Sequence, residues 1–129
     1  MSDPLHVELV AADRVVWSGD ASMVVARTAE GEVGILADHA PLLSLMVPGV
    51  VEVRTGGGET TRAAVDSGFL SVAGNRVSIL AEQAVLASDI DAAKASKDLE
   101  DAEKGDLEDE AALGELRRAR AWVLATERS

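Results

Sequence analysis

The chain has no cysteine, no tyrosine, only two histidines and only three aromatic side chains, Trp17, Phe69 and Trp122. Without cysteine there are no disulfides, no thiolate metal sites and no thiol nucleophile, a composition that suits the cytoplasm. With so few aromatics, the core must be filled by Val, Leu, Ile and Ala, which the 47% apolar content allows. His6 and His39 carry no metal-binding spacing, so no metal site is expected. Basic residues are also scarce: 12 Lys and Arg stand against 23 Asp and Glu, a net charge of −11. Such a chain is a poor direct partner for nucleic acid or an anionic lipid surface. Long apolar runs are missing too. The most apolar stretch, Pro41 to Val53, is interrupted by Pro48-Gly49 and is too short to cross a bilayer. The opening Met1-Ser2-Asp3-Pro4 lacks the basic and apolar regions of a signal peptide. Any membrane association is therefore expected to run through another protein, with no direct insertion.

Catalytic constellations are absent as well. The sequence contains no Walker-type loop, no Gly-x-Gly-x-x-Gly, no Gly-x-Ser-x-Gly and no His-Glu-x-x-His. No cofactor is expected, and no catalysis by the chain alone.

What is present falls into two parts that meet near residue 88. The first is rich in Val and Gly and reads as short strands. His6 to Val10 alternates polar and apolar side chains, as a half-buried strand does. Arg14 to Trp17 and Ala21 to Thr28 follow, with a turn expected at Ser18-Gly19-Asp20. Val50 to Arg54 alternates again, ends at Gly56-Gly57-Gly58, and returns through Thr60 to Val65. Phe69 to Ala73 and Arg76 to Leu80 flank Gly74-Asn75, a pair suited to the positive φ angles of a tight hairpin. Strands this short and dense, with no helices between them, predict an antiparallel β-sandwich or flattened barrel over residues 1–87.

The second part, residues 88–129, predicts a C-terminal antiparallel two-helix hairpin. Ser88-Asp89-Ile90-Asp91 offers a capping signal, with Ser88 as the expected acceptor. Ala92, Ala95, Leu99 and Ala102 then form a thin apolar stripe, Gly105-Asp106 breaks the helix, and a second helix is expected from about Leu107 to Thr126. Its apolar face holds Ala112, Leu116, Ala119 and Val123. Stripes this narrow leave the hairpin marginal unless it docks on something. Between Asp89 and Glu110 ten carboxylates face three lysines, which accounts for most of the net charge. Most such runs are solvated helix faces. Arg117, Arg118 and Arg120 are candidates to pair with this acidic first helix.

One region is more specific. Glu30-Gly31-Glu32-Val33-Gly34-Ile35-Leu36 leads into Ala37-Asp38-His39-Ala40-Pro41-Leu42-Leu43, and then Val47-Pro48-Gly49-Val50-Val51-Glu52-Val53. Together with Trp17-Ser18-Gly19, Ser67 to Val72, and Val77 to Glu82 followed by Asp89-Ile90-Asp91, these blocks stand in order across roughly residues 5 to 95. The pattern resembles the epsilon subunit of bacterial F-type ATP synthases.

The resemblance implies a rotor component of the central stalk, with no catalytic role of its own. Its partners would be the gamma subunit and the c ring, and the alpha and beta catalytic subunits through the C-terminal helices. It would sit peripherally on the cytoplasmic face of the cell membrane. Glu30, Gly31 and Glu32 match the family's acidic c-ring loop. His39, Leu42 and Leu43 match positions near the gamma contact, although both leucines read equally well as core. Asp89, Ile90, Asp91 and Lys94 match the start of a nucleotide-binding motif. Relatives that bind ATP carry arginine where this chain has Lys94, and lysine lacks the planar fork that grips phosphate. Two other readings remain: an ATP-sensing module whose helical hairpin closes on nucleotide, and a free-standing enzyme on a β-sandwich.

Overall fold

The computed structural model describes residues 4–127. Ten strands come first: β1 (Leu5–Ala11), β2 (Arg14–Ala21), β3 (Met23–Thr28), β4 (Gly31–Leu36), β5 (Leu42–Met46), β6 (Gly49–Arg54), β7 (Thr60–Val65), β8 (Gly68–Ala73), β9 (Arg76–Ala81) and β10 (Ala84–Leu86). A short 3₁₀ turn at Ala87–Asp89 leads to α1 (Ala92–Glu103) and α2 (Glu110–Glu127).

The strands pair in the order β10-β7-β6-β3-β5-β8-β9-β1-β2, with β4 on β3 outside that path. Between β3 and β5 a single residue pair, Thr28 with Met46, holds the two halves together. The chain folds into two layers at this corner. One layer is β10-β7-β6-β3-β4 and the other is β5-β8-β9-β1-β2. At the opposite seam Arg14 Nη2 donates to the Ala84 carbonyl at 3.1 Å, so β2 is tied to β10 and the sandwich is nearly closed. The core draws Val24, Val51, Val53 and Val65 from the first layer and Leu5, Val7, Leu70 and Ile79 from the second. Aliphatic side chains fill it, as the shortage of aromatics requires.

The predicted sandwich and helical hairpin are both present. One pairing is parallel, β1 with β9, against the expected antiparallel arrangement throughout. The Gly74-Asn75 hairpin forms as expected, with φ of 55° and 63°. The turn expected at Ser18-Gly19-Asp20 does not: β2 runs through it, and Gly19 pairs with Val7. A Cβ on Gly19 would come within 3.0 Å of the Trp17 ring, so this glycine makes room for a side chain rather than reversing the chain.

The helix starts also shift. Asp91, not Ser88, caps α1, its Oδ1 accepting from Ala93 N–H at 3.0 Å and Lys94 N–H at 3.1 Å. An ionised carboxylate is the stronger acceptor and meets the positive end of the helix dipole. The second helix begins at Glu110 rather than Leu107. Asp106 accepts from Glu108 N–H, a local bond that competes with helix in the linker, and Asp109 accepts from Ala111 N–H and so caps α2 at its start.

Ala95, Leu116 and Ala119 are buried between the two helices, while Ala121 and Ala125 form a second buried stripe on α2. That second stripe packs on the outer face of β6 and β7. The hairpin therefore docks on the chain's own sandwich, with α2 between α1 and the sheet.

Candidate functional site: an exposed apolar face opposite the helices

Strand register lines up a row across the second layer. Leu45 stands opposite Phe69, Phe69 opposite Leu80, Leu80 opposite Val10, and Val10 opposite Val15. All five point away from the core, because their neighbours Met46, Leu70, Ile79 and Leu9 point into it. Four of the five, Leu45, Phe69, Leu80 and Val15, are more than half exposed, and Leu43, two residues from Leu45 on the same face, is 74% exposed. A sheet of this size normally turns polar side chains to water on its open face. A contiguous exposed apolar row across five strands has the character of an interaction surface.

Backbone packing holds the row in place. A Cβ added to Gly68 would collide with the Leu80 carbonyl, so only glycine lets β8 approach β9 closely at this point. Next to the apolar row lies a milder one, Leu43-Ser71-Ser78-Glu8-Ser18. Beyond it His6 lies 3.3 Å from Asp20 and 3.9 Å from Glu8. The face thus grades from apolar to charged.

The residues matched to the gamma contact lie at one end of this layer. Leu43 is on the exposed face, whereas Leu42 turns inward and packs against the core. His39 Nδ1 donates to the Ala40 carbonyl at 2.7 Å, a loop-shaping bond. Reciprocal contacts secure the loop: Asp38 N–H donates to Asn75 Oδ1 at 2.6 Å, and Asn75 Nδ2 donates back to Asp38 Oδ1 at 3.3 Å.

Glu30, Gly31 and Glu32 form the tip of the β3–β4 hairpin. Gly31 has φ of 125°, a conformation that other residues adopt only with strain. Thr28 Oγ1 donates to the Gly31 carbonyl at 2.9 Å and accepts from Glu30 N–H at 3.2 Å. The tip is a fixed turn presenting two exposed carboxylates. Neither carboxylate has an ion-pair partner among the described residues. Arg117 and Arg120 of α2 share a groove of about 810 Å³ with this turn. They too form no ion pair among the described residues, so the expected pairing of these arginines with α1 is not found. Arg118 pairs instead with Asp66 of the sandwich, at 3.7 Å.

Asp89, Ile90, Asp91 and Lys94 come together in a cavity of about 670 Å³ between β10, α1 and α2, with Arg118 and Trp122. Its charges suit phosphate poorly. Asp89, Asp91, Asp98, Asp101 and Glu115 oppose Lys94 and Arg118. Lys94 Nζ is already 3.0 Å from Asp98 Oδ2, Arg118 is held by Asp66, and the Asp91 side chain is used in capping.

Sequence reasoning alone misses Leu45, Phe69, Leu80, Val10 and Val15. The signal is there in adjacent apolar pairs, Leu45-Met46, Phe69-Leu70, Ile79-Leu80 and Leu9-Val10, where alternation calls for one polar partner.

A small β-sandwich that keeps one broad apolar face open and covers the other with its own helices belongs to the class of protein-docking subunits. Residues 4–87 match the family model described as ATP synthase, Delta/Epsilon chain, beta-sandwich domain. The chain is 55% identical to the ATP synthase epsilon chain of Streptomyces avermitilis over 100 residues, 78% of this chain and 81% of that one. Identity to the epsilon chain of Thermobifida fusca is 44% over 130 residues, 98% of this chain and 95% of that one. Among solved structures, a chain of the Euglena gracilis mitochondrial ATP synthase (OSCP/F1/c-ring in rotational state 1) superposes with a TM-score of 0.80 at 29% identity. That match covers 98% of this chain and 82% of the other. A chain from the Tetrahymena thermophila central stalk and c-ring shares the fold, with a TM-score of 0.69 at 18% identity over 97% and 98% of the two chains. The chain belongs to the ATP synthase epsilon family. It is a structural stalk component rather than a catalyst alone. No helix among the described residues is long and apolar enough to cross a membrane.

Proposed function

We propose that the chain joins the gamma shaft of a proton-translocating F-type ATP synthase to the c ring, so that ring rotation reaches the catalytic head and drives ATP synthesis. The observation that carries this reading is the apolar row Leu45-Phe69-Leu80-Val10-Val15 on the face opposite the helices. Gamma would cover that row, with Leu43 and the His39 loop at its edge. Glu30 and Glu32, on a rigid turn, offer negative charge to polar loops of the c ring, and Gly31 lets backbone approach closely. The complex would sit on the cytoplasmic face of the cell membrane, with this subunit attached only through its partners. When lifted from the sandwich, the helical hairpin would reach toward the alpha and beta subunits and restrain ATP hydrolysis. Binding of purified gamma by the full chain, compared with a Phe69→Asp/Leu80→Asp variant, tests the reading.

An ATP-sensing role is the second reading, because the four motif-matching residues share one cavity. Its excess of carboxylates, and the prior pairing of Lys94 and Arg118, weigh against a nucleotide holding the hairpin down.

A further inference from the structure

Ala64 has no exposed surface, yet it is not part of the sandwich core. Its neighbours Ala63 and Val65 point into the core, so alternation turns Ala64 outward, beneath α2. On α2, Arg118, Ala121 and Ala125 fall at i, i+3 and i+7 and share one stripe. Ala121 and Ala125 are buried. The contact sets these alanines against Ala64 and its cross-strand neighbour Val50. Side chains this small exclude water but bury little area, and they fix the helix only weakly along its axis.

One charged contact ends the stripe. Arg118 Nη1 lies 3.7 Å from Asp66 Oδ2 in the β7–β8 turn, and this is the only ion pair joining helix to sandwich among the described residues. The Asp66 side chain is 15% exposed and that of Arg118 37%. Asp66 is itself anchored: its Oδ1 accepts from Ser67 N–H at 2.8 Å, and its own N–H donates to the Gln83 carbonyl at 2.9 Å.

We infer that Asp66 is a built-in latch, which sets the register of α2 on the sandwich and holds Arg118 where an anionic ligand of the neighbouring cavity would otherwise hold it. The docked hairpin then needs no ligand to stay down. Both cations of that cavity are committed to carboxylates of the chain, Lys94 to Asp98 and Arg118 to Asp66. A pair that is partly exposed weakens as salt rises, so the docked population falls with ionic strength. The inference concerns the isolated chain and does not depend on gamma or c-ring contacts.

The absence of cysteine supplies the test. In the full chain, Ala64→Cys introduces a single thiol that α2 covers, and its modification rate reports how often the hairpin lifts. Asp66→Asn keeps the acceptor for Ser67 N–H but removes the charge. Arg118→Gln leaves the turn untouched. Added to the thiol-bearing chain, each should raise the rate of thiol modification roughly two- to five-fold at low salt, as expected for a partly exposed pair. Each should also remove most of the rate's salt dependence, and combining the two should exceed neither alone. With Ala64 intact, acrylamide quenching of tryptophan fluorescence should rise in both variants, since Trp122, one of the two tryptophans, lines the cavity beside the helices. Parent-like rates and parent-like quenching with either substitution would overturn the latch, as would fully additive effects of the two together.

Discussion

Gly68 carries more of the exposed apolar face than its size suggests. A methyl group there meets the Leu80 carbonyl, and backbone cannot swing aside as the end of a side chain can. Gly68→Ala should cost about 2 kcal/mol or more, in the range of overpacking. For a domain of this size that lowers Tm by roughly 10 °C in a thermal melt. Exposed positions behave oppositely. Glu30→Lys/Glu32→Lys changes two side chains that no described residue pairs with, so stability read from a thermal melt should stay within about 0.5 kcal/mol of parent. The same variant should weaken assembly with the c ring, and proton-driven ATP synthesis should fall in membranes carrying it. Undiminished synthesis would mean that both carboxylates are merely solvated.

At the scale of elements, the helical hairpin is held by an alanine contact, one ion pair and the Asp91 cap. Asp91→Ala should loosen α1 by about 1 kcal/mol, read as lost helical signal in circular dichroism with strand signal intact. Titration of the full chain with ATP to ~1 mM should give no saturating change in Trp122 fluorescence, which corresponds to binding weaker than about 4 kcal/mol. A response that saturates at micromolar ATP and vanishes in Lys94→Ala would support the sensor reading instead. We also propose that residues 1–87 fold as an autonomous unit, because the core draws only on strands and is complete by β10. That fragment should melt cooperatively.

These elements are unevenly legible in the sequence. The Gly74-Asn75 hairpin and the alternation of β1 and β6 depend on local chemistry, and the sequence alone predicts them. Strands β4, β5 and β10 lack such a signal. Gly31 and Gly34 interrupt β4, the doubled Leu42-Leu43 masks the period of β5, and β10 has only three residues. The false turn at Ser18-Gly19-Asp20 has a tertiary cause, since nothing local shows that Gly19 makes space for Trp17. The acidic tip can be read as a motif, while its rigidity depends on the Thr28 hydroxyl. The outward apolar row stays hidden because it exists only once five strands are in register.

At the scale of the whole molecule, the sandwich has two unlike outer faces. One is covered by α2 through small side chains, and the other leaves Leu45, Phe69, Leu80 and Val15 in water. On the proposed reading, the covered face is the one on which the hairpin docks and from which it lifts. The open face is the one proposed to receive gamma, and its central side chains should act as binding hot spots. The most direct measurement is capture of gamma and c ring from solubilised membranes by the tagged full chain, beside its Phe69→Asp/Leu80→Asp variant. Parent should retain both partners. The variant sets two carboxylates opposite each other, so it should stay folded with a somewhat lower Tm, and it should bind gamma at least about 30-fold more weakly, as expected for losing about 2 kcal/mol at a hot spot. Equal capture of gamma by a folded variant would contradict the assignment of this face.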